Sequence, residues 1–124
     1  MTSRQRRKAD ERVADILRCI DRIASAEIQL VTAEGDGDDR AADIALDAVF
    51  YNLVVIGEAV NALPREFIDT EPDIPWRDIV DMRNFLAHDY HRVRSELVCA
   101  AIDGPLEDLG AACRHLRGPG RQTA

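Results

Sequence analysis

Between positions 83 and 90 the chain reads Arg83-Asn84-Phe85-Leu86-Ala87-His88-Asp89-Tyr90. Arginine is always charged and presents a fork of donors that matches a phosphate. Histidine titrates near neutral pH and can take or give a proton. A guanidinium that holds an anion beside an imidazole that moves a proton is a chemically competent pair. On an unbroken helix the two residues stand about 140° apart, at roughly 100° per residue, and cannot easily act on one bound group. Cooperation requires the helix to end near Ala87, or a cleft into which both project; two copies meeting across a two-fold axis would supply such a cleft. A plain exposed helix C-terminus would show the same residue types, because the macrodipole favours cations there.

Other constellations are weaker. The Asp36-Gly37-Asp38-Asp39 stretch fails the calcium-loop spacing, since counting from Asp36 places Ala41 and Asp47 where glycine and glutamate belong. It reads as a solvated helix–helix loop. Cysteines and histidines lack zinc spacing, and there is no phosphate-cradling glycine loop or nucleophile elbow. No metal and no cofactor is therefore expected. Cys19, Cys99 and Cys113 are an odd, widely spaced set, which excludes a disulfide scaffold and points to a reducing cytoplasm. Cys19 and Cys113 lie on apolar stripes and read as small core residues. Sixteen Lys and Arg against 23 Asp and Glu give a net charge of −7. Nucleic acid would then be met by a local patch, such as Arg4, Arg6, Arg7, Lys8 and Arg12, or the run from Arg83 to Arg94 with His91 and Arg92.

The elements that must position these residues are helical. A chain of 124 residues, 46 % hydrophobic, can bury one core and not two. No apolar run is long enough for a membrane span. Val13, Ile16, Leu17, Ile20, Ile23, Ala24 and Leu30 recur at steps of three and four, predicting a helix over about 9–32. Ile44, Ala48, Val49, Leu53, Ile56, Val60 and Leu63 predict a second over about 39–63. Phe50, Tyr51, Val54 and Val55 widen its stripe to nearly all sides, as in a central helix or one that also meets a second subunit. A third starts at Pro75, suited to the first helical position, and carries Trp76, Ile79, Val80, Met82, Phe85 and Leu86. A fourth starts near Ser95, a good N-cap, and carries Leu97 through Leu116, with Gly104-Pro105 expected to kink it. The stretch between Pro64 and Pro75 has room for a short extra helix. Trp76 and Phe85 read as packing residues. Nothing alternates with period two for long enough to argue a strand. The expectation is an all-α, antiparallel four-to-five-helix bundle over 9–117, with a flexible basic tail at 1–8 and a flexible tail at 118–124.

The Arg83-x4-His88-x-Tyr90 pattern resembles the motif of HepT-type toxins of the HEPN superfamily. The resemblance extends over Ile56-Gly57-Glu58-Ala59-Val60, Leu63-Pro64, Ile74-Pro75-Trp76-Arg77-Asp78-Ile79 and Met82-Arg83-Asn84, in the family's order. The early Asp15-Ile16-Leu17 helix fits as well, so the likeness covers roughly 11–116.

That resemblance implies a homodimer with a composite site at its interface, and a metal-independent endoribonuclease acting as the toxin of a type VII toxin–antitoxin system. His88 would be general base or acid, Arg83 would hold the phosphate, and Asn84 would orient either. His91, Arg92 and Arg94 would add RNA contacts. Glu58, an outlier in an apolar helix, is expected to pair with an arginine, Arg83 being one candidate, or to cap a polar pocket. The implied partner is a nucleotidyltransferase antitoxin of the MntA type that transfers AMP to the motif tyrosine, here Tyr90. The added charge and bulk would repel and occlude RNA. Asp89 departs from the family, which often has glycine there; its carboxylate would raise the His88 pKa by charge attraction. A different class of function fits the same helices: a non-catalytic partner that docks on a nucleotidyltransferase and binds nucleotide or RNA.

Overall fold

The computed structural model describes residues 2–89 and 95–121, with side chains described for all of these except 85–89, 95–98, 101 and 116–121. Five helices follow in order: α1 (Ser3–Gly35), α2 (Asp39–Asn61), α3 (Arg65–Asp69), α4 (Trp76–Asp89) and α5 (Ser95–Arg121). There is no strand among the described residues, so the chain is all-α as the periodicity predicts.

Helix α1 begins at Ser3, six residues ahead of the expected start at about 9. The reason is local. Thr2 Oγ1 accepts from the Gln5 N–H at 3.1 Å, and Gln5 Oε1 accepts from the Thr2 N–H at 2.8 Å. This reciprocal capping box satisfies two of the orphan donors at a helix start. The basic stretch 3–8 is therefore helical, and the expectation of a flexible tail there is corrected. At the other end of the chain, α5 runs to Arg121, past the expected boundary at 117.

The acidic loop is a helix–helix turn. Gly37 takes φ +70, the left-handed conformation glycine adopts without strain. The Asp38 N–H returns to the Ala33 carbonyl at 2.9 Å. Asp38 Oδ1 then accepts from the Ala41 N–H at 3.0 Å and caps α2. The turn makes α1 and α2 an antiparallel pair: Ile28 and Ile44 line one cleft near the turn, and Ala62 lies beside Lys8, Glu11 and Arg12 at the far end.

The core is the shared inner face of these helices. Val13, Ile16, Cys19 and Ile23 of α1 meet Val49, Leu53, Ile56 and Val60 of α2, with Ile102, Leu109 and Cys113 of α5 buried in the same cluster. Cys19 and Cys113 are core residues, as expected. Ile44 is not, although its spacing put it on the α2 stripe; it is 61 % exposed and lines the open cleft near the turn with Ile28. Helix α5 also runs antiparallel to α1. Glu27 meets Cys99 and Asp103, and Ile20 lies against Gly110, whose added Cβ would be 3.5 Å from Ile20 Cδ1. Its helical assignment is unbroken through Gly104-Pro105.

The segment between Pro64 and Pro75 holds the extra helix, α3. Phe67 from it stacks edge-on against Trp76, with ring centroids 6.3 Å apart. The Trp76 indole donates to the Glu71 carbonyl at 2.9 Å, so this tryptophan is a satisfied packing residue. Pro75 stands one position before α4 rather than at its first residue; its carbonyl accepts from the Ile79 N–H at 3.1 Å. These contacts anchor the start of α4 at the end of α2 and send it back along that helix.

Candidate active site

Arg83 is seated by a glycine on the neighbouring helix. A Cβ added to Gly57 would lie 2.5 Å from Arg83 Cβ and 2.8 Å from Arg83 Cγ. Non-bonded side-chain carbons do not come this close, so only glycine lets α4 approach α2 to this distance at this level. The base of the arginine side chain lies in that notch, fixed where it cannot swing aside. Its Nε is buried, and among the described residues it has no hydrogen-bond partner. A buried donor without an acceptor is unfavourable by about 1–3 kcal/mol. Such an orphan calls for an explanation, and a bound anion is one.

Helix α4 continues through Asp89. Of the two ways in which Arg83 and His88 could cooperate, the one that needs the helix to stop near Ala87 is thereby removed. Their backbone positions stand about 7.5 Å apart along the axis, at 1.5 Å per residue, and about 140° apart around it. A single helix face does not present both.

The other expected site residues are distributed as follows. Asn84 is exposed. Glu58 is exposed as well, and among the described residues it forms no ion pair with Arg83. The expectation of a buried, paired carboxylate is corrected: Glu58 sits about 100° around α2 from Gly57 and points to solvent, where a carboxylate needs no partner. The His88 side chain and Tyr90, His91, Arg92 and Arg94 lie outside what is described.

Sequence reasoning missed two features. Gly57 is the seat of Arg83, and its only sequence signal was a lone glycine inside a long apolar helix, which often marks a close approach. The second is a carboxyl–thiol group between α1 and α5. Burial, together with a hydrogen bond to and the charge of Asp103, pushes Glu27 up to about 7. Burial and the Glu27 charge push the Cys99 thiol up to about 12. This group is a polar contact between packed helices, and nothing in the helical periodicity announced it.

The sequence finds its match among known proteins. A family model described as Ribonuclease HepT-like matches residues 16–116. A protein of Caldanaerobacter subterraneus subsp. tengcongensis named "Putative RNase" is 36 % identical over 73 residues, covering 58 % of this chain and 65 % of that one. "Probable ribonuclease HepT" of Thermococcus cleftensis is 33 % identical over 70 residues, 56 % of this chain and 64 % of that one. A "Putative RNase" of Methanocaldococcus jannaschii is 41 % identical over 51 residues, 41 % of this chain and 42 % of that one. The chain thus spans 42 to 65 % of the length of these relatives. No solved structure matches. Among the described residues no helix is long and apolar enough to cross a membrane.

Proposed function

The chain belongs to the HepT-like ribonuclease family, and from that premise we propose that it is a metal-independent endoribonuclease, the toxin of a type VII toxin–antitoxin pair, acting in the cytoplasm at a site completed between two copies. The observation that carries this reading is Arg83: a guanidinium stem held against Gly57, with a buried Nε–H that has no acceptor among the described residues. An anionic phosphodiester oxygen is the acceptor such a donor suits. In the reaction the RNA 2′-oxygen forms a bond to the adjacent phosphorus and the bond to the 5′-oxygen breaks. His88 takes the 2′-hydroxyl proton or protonates the leaving oxygen. Arg83 stabilises the charge that builds on the phosphoryl oxygens, and Asn84 orients either group. His91, Arg92 and Arg94 add contacts to the RNA backbone.

The helix geometry supports a composite site, because α4 carries Arg83 and His88 on different faces and a second copy can close the cleft. Ile28, Val31, Ile44 and Tyr51 are 61 to 70 % exposed, an apolar surface that a second copy would cover. Regulation falls on Tyr90, to which a nucleotidyltransferase of the MntA type would attach AMP. The phosphodiester charge and the base would keep RNA away.

The decisive experiment is RNA cleavage in EDTA by wild type, Arg83→Ala and His88→Ala. Wild type is expected to cleave, and both variants to stay folded and lose cleavage and growth inhibition. Undiminished cleavage by both variants overturns the assigned chemistry, and tight RNA or nucleotide binding without cleavage by wild type favours the non-catalytic partner. Intact mass after co-expression with the antitoxin, with Tyr90→Phe as control, tests the modification.

A further inference from the structure

The Gly57 notch has a second wall. Helix α4 starts beyond the end of α2 and comes back along it to Gly57, so the two run antiparallel. Asn61, the last residue of α2, stands four positions after Gly57, one turn on and about 40° further round. Residues at this spacing are neighbours, with about 5–6 Å between their Cβ atoms. Arg83 Nε lies 3.7 Å from the Cβ position of Gly57. The Asn61 amide and the Arg83 Nε–H therefore border the same spot, the one where Gly57 has no side chain.

Direction brings the two groups closer. Every Cα–Cβ bond on a helix tilts toward that helix's N-terminus, so a side chain covers the turn before its own Cα. Asn61 thus leans back over the Gly57 turn, and Arg83, on the antiparallel helix, leans toward Asn61. Asn84 stands about 100° round α4 from Arg83, in the sense that for antiparallel helices is the same side of the seam as Asn61. That side is open to solvent, since Asn61 and Asn84 are both exposed.

Two side-chain acceptors flank the notch on α2, Asn61 Oδ1 and the Glu58 carboxylate, and neither takes the Arg83 Nε–H. Among the described residues the Asn61 amide makes no hydrogen bond of its own. The side-chain type matters here. A carboxylate at 61 would pair with Arg83 and satisfy it from within. An amide leaves the guanidinium charged and adds two N–H donors. The guest that satisfies both walls is an anion with more than one oxygen to offer.

We propose that Asn61 is a substrate-binding residue: its Nδ2–H donates to one non-bridging oxygen of the phosphodiester to be cut, while the Arg83 Nε–H donates to the other. The identity of the anion rests on the ribonuclease reading, which this clamp deepens by adding a contact from a second helix. Donors on two packed helices fix the phosphorus in place more firmly than one side chain does, and such positioning is what the reaction needs. Asn61 moves no proton.

The test compares wild type with Asn61→Ala, Asn61→Asp, Arg83→Ala and the two double variants; circular dichroism confirms the helices in each. Cleavage of a short single-stranded RNA is read in EDTA, and thermal midpoints are read without RNA. Asn61→Ala is expected to keep the wild-type midpoint, because the residue is exposed. It loses about 10- to 100-fold in kcat/KM, the effect of one hydrogen bond to a charged group. Asn61→Asp loses at least as much, because its carboxylate repels the phosphate and occupies Arg83. It also leaves a mark that needs no RNA. The midpoint difference between Asp and Ala at 61 is a few degrees more favourable with Arg83 present than with Arg83→Ala. If wild type cleaves and Asn61→Ala cleaves as well, the clamp is wrong and the ribonuclease reading survives. If Asn61→Ala loses cleavage while the midpoints show no coupling to Arg83, Asn61 acts away from the notch and the clamp is overturned. If wild type neither binds nor cleaves RNA, both readings fall.

Discussion

Two seams of this bundle each contain a polar group that packing should disfavour, and they resolve it in opposite ways. Between α1 and α5, Glu27 lies against Asp103 and beside Cys99; the chain settles the conflict internally by letting Glu27 keep its proton up to about pH 7. Between α2 and α4, Arg83 lies in the Gly57 notch with its Nε–H unpaired among the described residues. A guanidinium cannot shed its proton at any accessible pH, so this conflict stays open until an acceptor arrives from outside. A group that can be neutralised in place is structural polarity. A group that is held rigid, charged and unsatisfied is available for binding. That difference separates the two seams more sharply than burial does.

The comparison can be broken at its strongest point by Gly57→Ala. The new methyl would overlap the first two side-chain carbons of Arg83, and since Cβ is fixed by the backbone and cannot yield by a change of rotamer, α4 must shift. Overpacking of this kind is unfavourable by about 1–3 kcal/mol, and a shift of about 1 Å is enough to lower catalysis by about a hundredfold. Urea denaturation should show the lower stability, and RNA cleavage should fall to background in material that still folds. Arg83→Lys probes the same seam without the clash. It keeps a charge and discards the planar fork, and a loss of roughly 10²–10³ in kcat is expected from removal of one such donor. Stability should hold. Near-normal kcat would mean that charge alone suffices and the orphaned Nε is incidental.

The other seam is sharpened by pH. Burial raises Glu27 in the fold from its ordinary value of 4.5 to about 7. Its stabilising contribution is complete below the ordinary carboxylate range and is lost as pH rises through about 7, because the deprotonated form then faces Asp103 in a partly buried contact. Thermal midpoints measured from pH 4 to 8 should therefore fall more for wild type than for Glu27→Gln, with the gap opening in that window. Parallel curves would show that Glu27 titrates as an ordinary surface acid. The smallest effect is expected of Glu58→Gln, which alters a carboxylate that projects into water: stability within about 0.5 kcal/mol of wild type, and cleavage unchanged. A large loss of cleavage there would return Glu58 to the site.

The helices were legible because burial imposes a period that apolar residues follow. Ile16, Ile23, Val49, Ile56, Ile102 and Leu109 are all among the most buried residues, and each stands on a predicted stripe. The errors came where one signal has two causes. Ile44 fits the period of α2 yet faces out, since an apolar helix shows no one face clearly. Glu58 looked anomalous in an apolar run, and only its angle around α2 revealed that it lies on the wet side. The basic stretch 3–8 looked like a tail because it carries no stripe, although Thr2 and Gln5 hold the spacing of a capping box. Arg83 and His88 were found by type and spacing, and the match to the family followed from them.

By itself the sequence determined the helix content, the turn at Gly37, the core status of Cys19 and Cys113, and the residues to suspect of chemistry. These depend on near neighbours and on period, which the order of residues records directly. Only the tertiary structure decided that Arg83 rests on Gly57 and that Glu27 lies against Asp103. Each of those is a distance between residues far apart in sequence, set by how helices pack, and no local pattern encodes which faces will meet.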